Sequence, residues 1–273
     1  MKTVNVKEIY IGSGYPLALI AGPCVIENEL DTIKIAEEIR NIAEILNIPF
    51  IFKASYEKDN RSSADYFRGP GLEVGLRIME RVKKDVGVPV LSDVHRETDI
   101  NAAASVLDIL QVPAFLCQQT SLLLAMGKTG KPINIKKGQF LSPYTMKSPL
   151  KKVLSTGNSQ VLLTERGTTF GYDRLVSDIC SIPIMQNLGF PVVFDATHII
   201  RCYGIPSSQP NGGKPEFIES LICAGVAAGC DAVFIETHPN PTNALCDASS
   251  MLPLKQLPDI LEIILPLSRI VRK

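Results

Sequence analysis

The sequence predicts an α/β protein of the (β/α)8 TIM-barrel class, and three observations carry that prediction. Eight short runs rich in Ile, Val, Leu and Phe recur along the 273-residue chain, each nearly continuous, as parallel strands covered on both faces require. Stretches with apolar residues at helical spacing separate them. Polar and charged residues gather at the C-terminal ends of the runs, the face on which such barrels build their sites. An open doubly wound sheet accommodates the same alternation and differs only in whether the strands close.

Val4 to Gly14 reads as a short strand and turn, a β-hairpin that closes the bottom of the barrel. The eight runs follow at Leu17 to Cys24, Pro49 to Ser55, Val88 to Val94, Ile109 to Val112, Pro132 to Lys137, Val161 to Gly167, Pro191 to Thr197 and Ala232 to His238. The clearest helix spans Asp31 to Leu46, where Ile33, Ile35, Ala36, Ile39, Ile42, Ala43 and Leu46 form one stripe. Gly87, Gly157, Gly189 and Gly229 stand between a helical pattern and the next run, where helix C-caps favour glycine. Gly204 to Pro215, rich in Gly, Pro and Ser, follows the seventh run, where a lid is useful. Leu257 to Val271 is apolar on one side and supplies the eighth outer helix. No linker or repeat divides the chain, so residues 1–273 read as a single domain.

Charge and composition narrow the function. With 28 basic and 28 acidic residues, no global field draws the protein to nucleic acid or to a membrane surface. The N-terminus lacks a signal-type apolar stretch, and no segment runs 18 apolar residues without a charge, which points to a cytoplasmic protein. Seven Cys at irregular spacing, with no C-x-x-C pair and one left over, fit reduced thiols.

The chemistry lies at the ends of the runs. They close on Cys24, on Lys53 and Ser55, on Asp93 and His95, on Gln111, on Lys136, on Arg166, on Asp195 and His198, and on Glu236 and His238. After the second run comes Lys53 to Ser63, K-A-S-Y-E-K-D-N-R-S-S, which carries the donors that hold phosphorylated anions. Taken alone, such a stretch is equally a solvated loop. Lys53, Lys58, Lys136 and Arg166 make a cation ring that repels itself unless an anion sits within it, so a small polyanion is expected. Cys24, His198, Glu236 and Asp247 offer one S, one N and two O donors, a set suited to a divalent metal ion such as Zn, Fe(II), Mn or Co. No pair among them has a standard ligand spacing, and the plain alternative is a buried thiol, a hydrogen-bonded His and carboxylates paired with Lys. Asp195 reads most simply as a strand-end hydrogen-bond acceptor.

Ten separate pieces occur in one order: A-G-P-C-V-I-E at 21–27, F-K-A-S at 52–55, K-x-N-R-S-S at 58–63, R-G-P-G-L-E at 68–73, S-D-V-H at 92–95, N-I-K-K at 134–137, E-R-G at 165–167, F-D-A-T-H at 194–198, F-I-E-T-H-P at 234–239 and C-D at 246–247. Over nearly its whole length the chain resembles the 3-deoxy-D-manno-octulosonate 8-phosphate synthases, which condense phosphoenolpyruvate with D-arabinose 5-phosphate. The resemblance implies a barrel that assembles as a homotetramer and acts on small phosphorylated substrates. It places phosphoenolpyruvate among Lys53, Lys58, Lys136 and Arg166, with Ser55, Asp93 and Gln111 as supports, and the sugar phosphate against Asn60, Arg61 and Ser62. It implies a metal on Cys24, His198, Glu236 and Asp247, and catalytic roles for Lys58, His198 and Asp247. One group of these synthases has Asn at the first ligand position and needs no metal; Cys24 puts this chain with the other.

Three positions depart from the familiar pattern. Gln118 replaces an Arg that reaches the sugar phosphate across a subunit interface, so another cation or another sugar is expected to answer it. Asp59 stands where Ala is usual, tolerable if its side chain points away from the ligands. Ala248-Ser249 replaces Gly-Pro after Asp247. The sister 3-deoxy-D-arabino-heptulosonate 7-phosphate synthases take erythrose 4-phosphate and carry a K-P-R-[ST] pattern, so Asn60 favours the five-carbon sugar. A silent barrel that only binds a phosphorylated metabolite is the alternative from another class, and Gln118 is its support. His95 and His238 read as ligand contacts or as hydrogen-bonded rim residues.

Overall fold

The computed structural model describes residues 1–169 and 173–272. Eight parallel strands follow one another around a ring: β3 (Ala18–Gly22), β4 (Phe50–Lys53), β5 (Val90–Asp93), β6 (Ile109–Val112), β7 (Ile133–Lys136), β8 (Val161–Glu165), β9 (Val192–Asp195) and β10 (Ala232–His238). β10 pairs with both β3 and β9, so the sheet closes and the open doubly wound alternative falls away. The outer layer is α1 (Glu29–Ile45), α2 (Leu72–Arg81), α3 (Ile100–Val106), α4 (Thr120–Lys128), α5 (Lys147–Leu154), α6 (Ser181–Gln186), α8 (Ile218–Ala227) and α9 (Leu257–Val271). A single turn, α7 (Ala196–Ile199), follows β9, and β11 (Leu252–Pro253) adds a short parallel pairing to β10.

The two-residue period of a strand sorts each run between two environments. Ala18, Ile20, Ile51, Leu91, Ile109, Leu162, Val193, Ala232 and Phe234 point inward and fill the lower barrel. Val4 and Val6 of β1 (Val4–Val6) and Ile11 of β2 (Ile9–Ile11) join this cluster, so the antiparallel hairpin closes the bottom as expected. The alternate residues, among them Phe50, Phe52, Val90, Leu110, Ile133 and Phe194, pack outward under the helices. Two residues beyond the inward apolar layer stand Lys53, Asp93, Gln111, Thr164, Asp195 and Glu236, all buried. The same periodicity that fills the core therefore aims a polar layer into the mouth.

Element ends differ from the sequence expectation by a few residues, for local reasons. α1 begins at Glu29 because Asn28 caps it, its Oδ1 accepting the Asp31 N–H at 2.9 Å. β9 stops at Asp195, whose side chain accepts the His198 N–H at 3.1 Å and caps α7. Thr197 and His198 thus sit on a helical turn rather than on the seventh strand. Gly87, Gly157, Gly189 and Gly229 all have φ between +79° and +90°, the left-handed conformation that ends a helix. All seven Cys are free thiols. No helix among the described residues is long and apolar enough to cross a membrane.

Candidate active site

Strand ends supply a floor of paired charges. Lys53 Nζ lies 2.5 Å from Glu236 Oε1 and donates to the Cys24 carbonyl at 2.7 Å. This requires β3 and β4 to approach closely, and Gly22 permits it: a Cβ there would lie 2.1 Å from the Lys53 carbonyl oxygen. Lys136 Nζ donates to Asp195 Oδ2 at 2.7 Å, and His198 Nδ1 meets the same oxygen at 2.8 Å. Ser55 Oγ donates to Asp93 Oδ1, while His95 Nε2 and Lys58 Nζ lie 2.8 and 3.7 Å from Asp93 Oδ2. Gln111 Oε1 accepts from Asn134 Nδ2 at 3.0 Å, a support beneath the mouth.

The cation ring is thus neutralised from within the protein, where the sequence reading called on a ligand. Lys53 answers Glu236, Lys136 answers Asp195, and Lys58 answers Asp93. Burial pushes these carboxylates up, but the neighbouring cations outweigh it. His198 and Lys136 hold Asp195 well below the usual range, and Lys58 with His95 does the same for Asp93. Glu236 is held at about 2 by Lys53, His198 and Lys58.

Above this floor opens a cavity of about 290 Å³. The loop after β4 contributes Lys58, Asn60, Arg61 and Ser62, and the strand ends contribute Arg166, His198 and Asp247. Lys53 and Lys136 belong to the floor rather than the wall. Arg166 Nη2 donates to the Tyr203 hydroxyl at 2.6 Å, whereas its Nε and Nη1 are buried with no partner among the described residues. Unpaired buried guanidinium donors are costly and point to an anion. Arg201, Tyr203 and Ser207 also line the cavity and were not among the expected residues. Arg201 had a readable signal, since it follows His198 by three residues, one helical turn. Ser207 lies in the stretch Gly204 to Pro215 already marked as a useful lid position, whereas Tyr203 had no signal, because an irregular loop residue shows no period.

The four expected metal ligands fall into two groups that share Asp247. His198, Glu236 and Asp247 place ligand atoms within 4.8 Å of one another, as do Cys24, Cys246 and Asp247. Cys24 Sγ is 3.2 Å from Asp247 Oδ2, and His198 Nε2 is 3.6 Å from Glu236 Oε2. Together the two groups offer sulfur, imidazole nitrogen and carboxylate donors around Asp247, a donor set that suits a borderline divalent ion. The plain alternative holds in part, since His198 is hydrogen-bonded through Nδ1 and Glu236 is paired with Lys53 through Oε1. Each keeps its other ligand atom free for the group they form with Asp247. Cys246, one of the seven Cys expected to be reduced thiols, stands 2.8 Å from Cys24 Sγ. Asp247 is left-handed (φ 48°), a conformation Asp tolerates better than most residues.

The sequence pattern of the DAHP synthetase I family matches residues 1–272. The chain belongs to that family. A protein named 2-dehydro-3-deoxyphosphooctonate aldolase from Geobacter metallireducens is 50% identical over 273 residues, covering 99% of each chain. Proteins of the same name from Syntrophotalea carbinolica and Geobacter sulfurreducens are 49% identical over 270 residues and 48% over 273 residues. These alignments cover 99% of this chain and 97% and 99% of the respective relatives.

The departures from the familiar pattern find physical accounts in this family member. Asp59 turns away from the cavity into a surface network, where it pairs with Arg68 and lies 3.0 Å from Arg96; Glu57 joins the same two arginines. Ala248–Ser250 forms a 3₁₀ turn, with the Ser249 N–H donating to Ser207 O at 3.0 Å, and this turn presents Asp247. Gln118 is exposed, its carbonyl accepting from Lys152 at 2.6 Å, and it does not line the cavity. His95 and His238 are hydrogen-bonded rim residues, to Asp93 and to the Asn240 N–H.

Proposed function

We propose that this chain condenses phosphoenolpyruvate with D-arabinose 5-phosphate and water, giving 3-deoxy-D-manno-octulosonate 8-phosphate and inorganic phosphate. The observation that carries the reading is the cavity at the strand ends, whose wall holds Lys58, Arg61 and Arg166, with two Arg166 donors that have no partner among the described residues. The printed name of the full-length relatives denotes this same activity.

Phosphoenolpyruvate lies against Lys58 and Arg166, over Lys53, Ser55, Asp93, Gln111 and Lys136, and the sugar phosphate lies toward Asn60, Arg61 and Ser62. This arrangement brings C3 of the enol ester to the sugar aldehyde. The carbon–carbon bond forms there, water adds at C2, and the tetrahedral product releases inorganic phosphate. Burial lowers Lys58, but Asp93, Cys24 and Glu236 more than offset it. Lys58 therefore stays protonated and serves as a hydrogen-bond donor and acid to the oxygen that gains a proton. The proton that leaves the attacking water goes to the Asp247 carboxylate, with His198, held by Asp195, positioned beside it. Cys24, His198, Glu236 and Asp247 would hold a divalent ion of the Zn, Fe(II), Mn or Co type, which supplies Lewis-acid polarisation when bound. A cytoplasmic homotetramer completes the reading, and sedimentation of the purified protein checks the assembly.

The test is phosphate release from phosphoenolpyruvate with arabinose 5-phosphate or with erythrose 4-phosphate, before and after chelation and with metal add-back. Release with the five-carbon sugar, abolished by chelator and restored by a divalent ion, is expected. Release with the four-carbon sugar alone would move the chain to the sister activity, which the family's description also allows. Release that survives exhaustive chelation would remove the metal from the reading.

A further inference from the structure

The cavity wall carries more positive charge than the roles above use. Lys58, Arg61, Arg166 and Arg201 line it; Lys58 is answered by Asp93 below, which leaves three guanidinium groups against one carboxylate, Asp247, among the described lining residues, a net charge of +2, three minus one. Arg61 Nη1 and Arg201 Nε approach the same oxygen, Asp247 Oδ1, at 3.9 and 3.8 Å. One carboxylate oxygen cannot balance two guanidinium groups. Both side chains are only 11% exposed, so solvent screens the excess weakly.

Arg201 is also held in place before any ligand arrives. Its Nη1 donates to Gly212 O at 2.7 Å and to Ser249 Oγ at 3.0 Å, and its Nη2 reaches Ile205 O at 3.4 Å. Three contacts from two segments thus fix the guanidinium, which reduces the side-chain entropy lost on binding. Two phosphoryl groups and a carboxylate bring roughly four to five negative charges into the cavity. An excess of two positive charges among three arginines leaves none of them idle against such a ligand set.

We propose that Arg201 is a specificity-determining residue for the phosphorylated sugar, forming with Arg61 a two-arginine clamp on the sugar's phosphate. The inference rests on the substrate reading given above. Arg201 supplies a fixed charge that discriminates arabinose 5-phosphate from unphosphorylated arabinose.

Calorimetric titration of arabinose 5-phosphate, arabinose and phosphoenolpyruvate into wild-type protein and Arg201→Gln tests this. The variant is expected to bind arabinose 5-phosphate roughly 10- to 100-fold more weakly, a loss of the size expected for a charge-assisted contact. Phosphoenolpyruvate and unphosphorylated arabinose should change less than about threefold, and Arg201→Lys should recover most of the loss. Unchanged affinity for arabinose 5-phosphate, or equal weakening of all three ligands, would overturn the inference. If Arg201→Gln does not fold, Arg201→Met replaces it: it should lose roughly the same 10- to 100-fold for arabinose 5-phosphate and less than about threefold for the other two ligands, and unchanged affinity for arabinose 5-phosphate would overturn the clamp. Wild-type protein that binds arabinose 5-phosphate without releasing phosphate would overturn the proposed reaction and leave the clamp standing. Wild-type protein that does not bind arabinose 5-phosphate would overturn both.

Discussion

At the scale of single residues, the floor of the site is a set of buried charges that are each answered. Asp195 is fully buried and accepts from Lys136, from both the ring and backbone N–H of His198, and from Thr197. Asp195→Asn leaves Lys136 and an oriented His198 without their counter-charge. Removing one member of a buried pair costs about 3–5 kcal/mol, and urea denaturation should show a loss of that size; a loss below about 1 kcal/mol would mean the pair is solvated. Sequence reading recognised Asp195 as a strand-end acceptor. It could not name the partners, because Lys136 lies 59 residues away and only closure of the barrel makes them neighbours.

At the scale of elements, strand spacing decides the geometry of the mouth. Gly22 has φ +153° and lies against the Lys53 carbonyl, so Gly22→Ala drives a methyl group into the β3–β4 contact. The strands must part, and the Lys53–Glu236 pair and the Cys24 backbone shift with them. Gly157→Ala provides the control: φ is +89° but nothing lies within 4 Å of the new Cβ, so only the left-handed penalty of roughly 1–2 kcal/mol applies. Thermal unfolding should therefore show a much larger loss for Gly22→Ala than for Gly157→Ala, and equal losses would show that the close approach is not tight. The helix-end glycines were legible because a C-cap is a local requirement. Gly22 was not, since the atom it avoids belongs to another strand.

At the scale of the whole molecule, carboxylates at the mouth share one direction of shift. Glu236, at about 2 against an ordinary 4.5, is joined by Asp93, Asp195 and Asp247, all held below their usual range despite burial. A group whose folded-state value is depressed stabilises the fold above its unfolded value, and that stability is lost as pH falls through the folded value. Stability should be nearly level above about pH 5 and decline steadily from about 4.5 toward 2, which denaturant titration across that range checks. Glu165 opposes the trend, since burial pushes it upward, but it is one group against four. Stability that rises on acidification would contradict this account of the mouth.

Much of this protein follows from its sequence alone, because the information is local or periodic. The strand and helix alternation, the inward polar residue two places beyond each apolar one, the helix-ending glycines and the ten ordered motifs are all visible in one dimension. Closure of the ring, the pairing of Lys53 with Glu236 and of Lys136 with Asp195, the outward turn of Asp59 into Arg68 and Arg96, and the meeting of Arg61 and Arg201 at Asp247 are not. Those contacts join residues from different strands and loops, and their energies depend on burial and on distances of a few ångströms. Only the folded barrel sets either one.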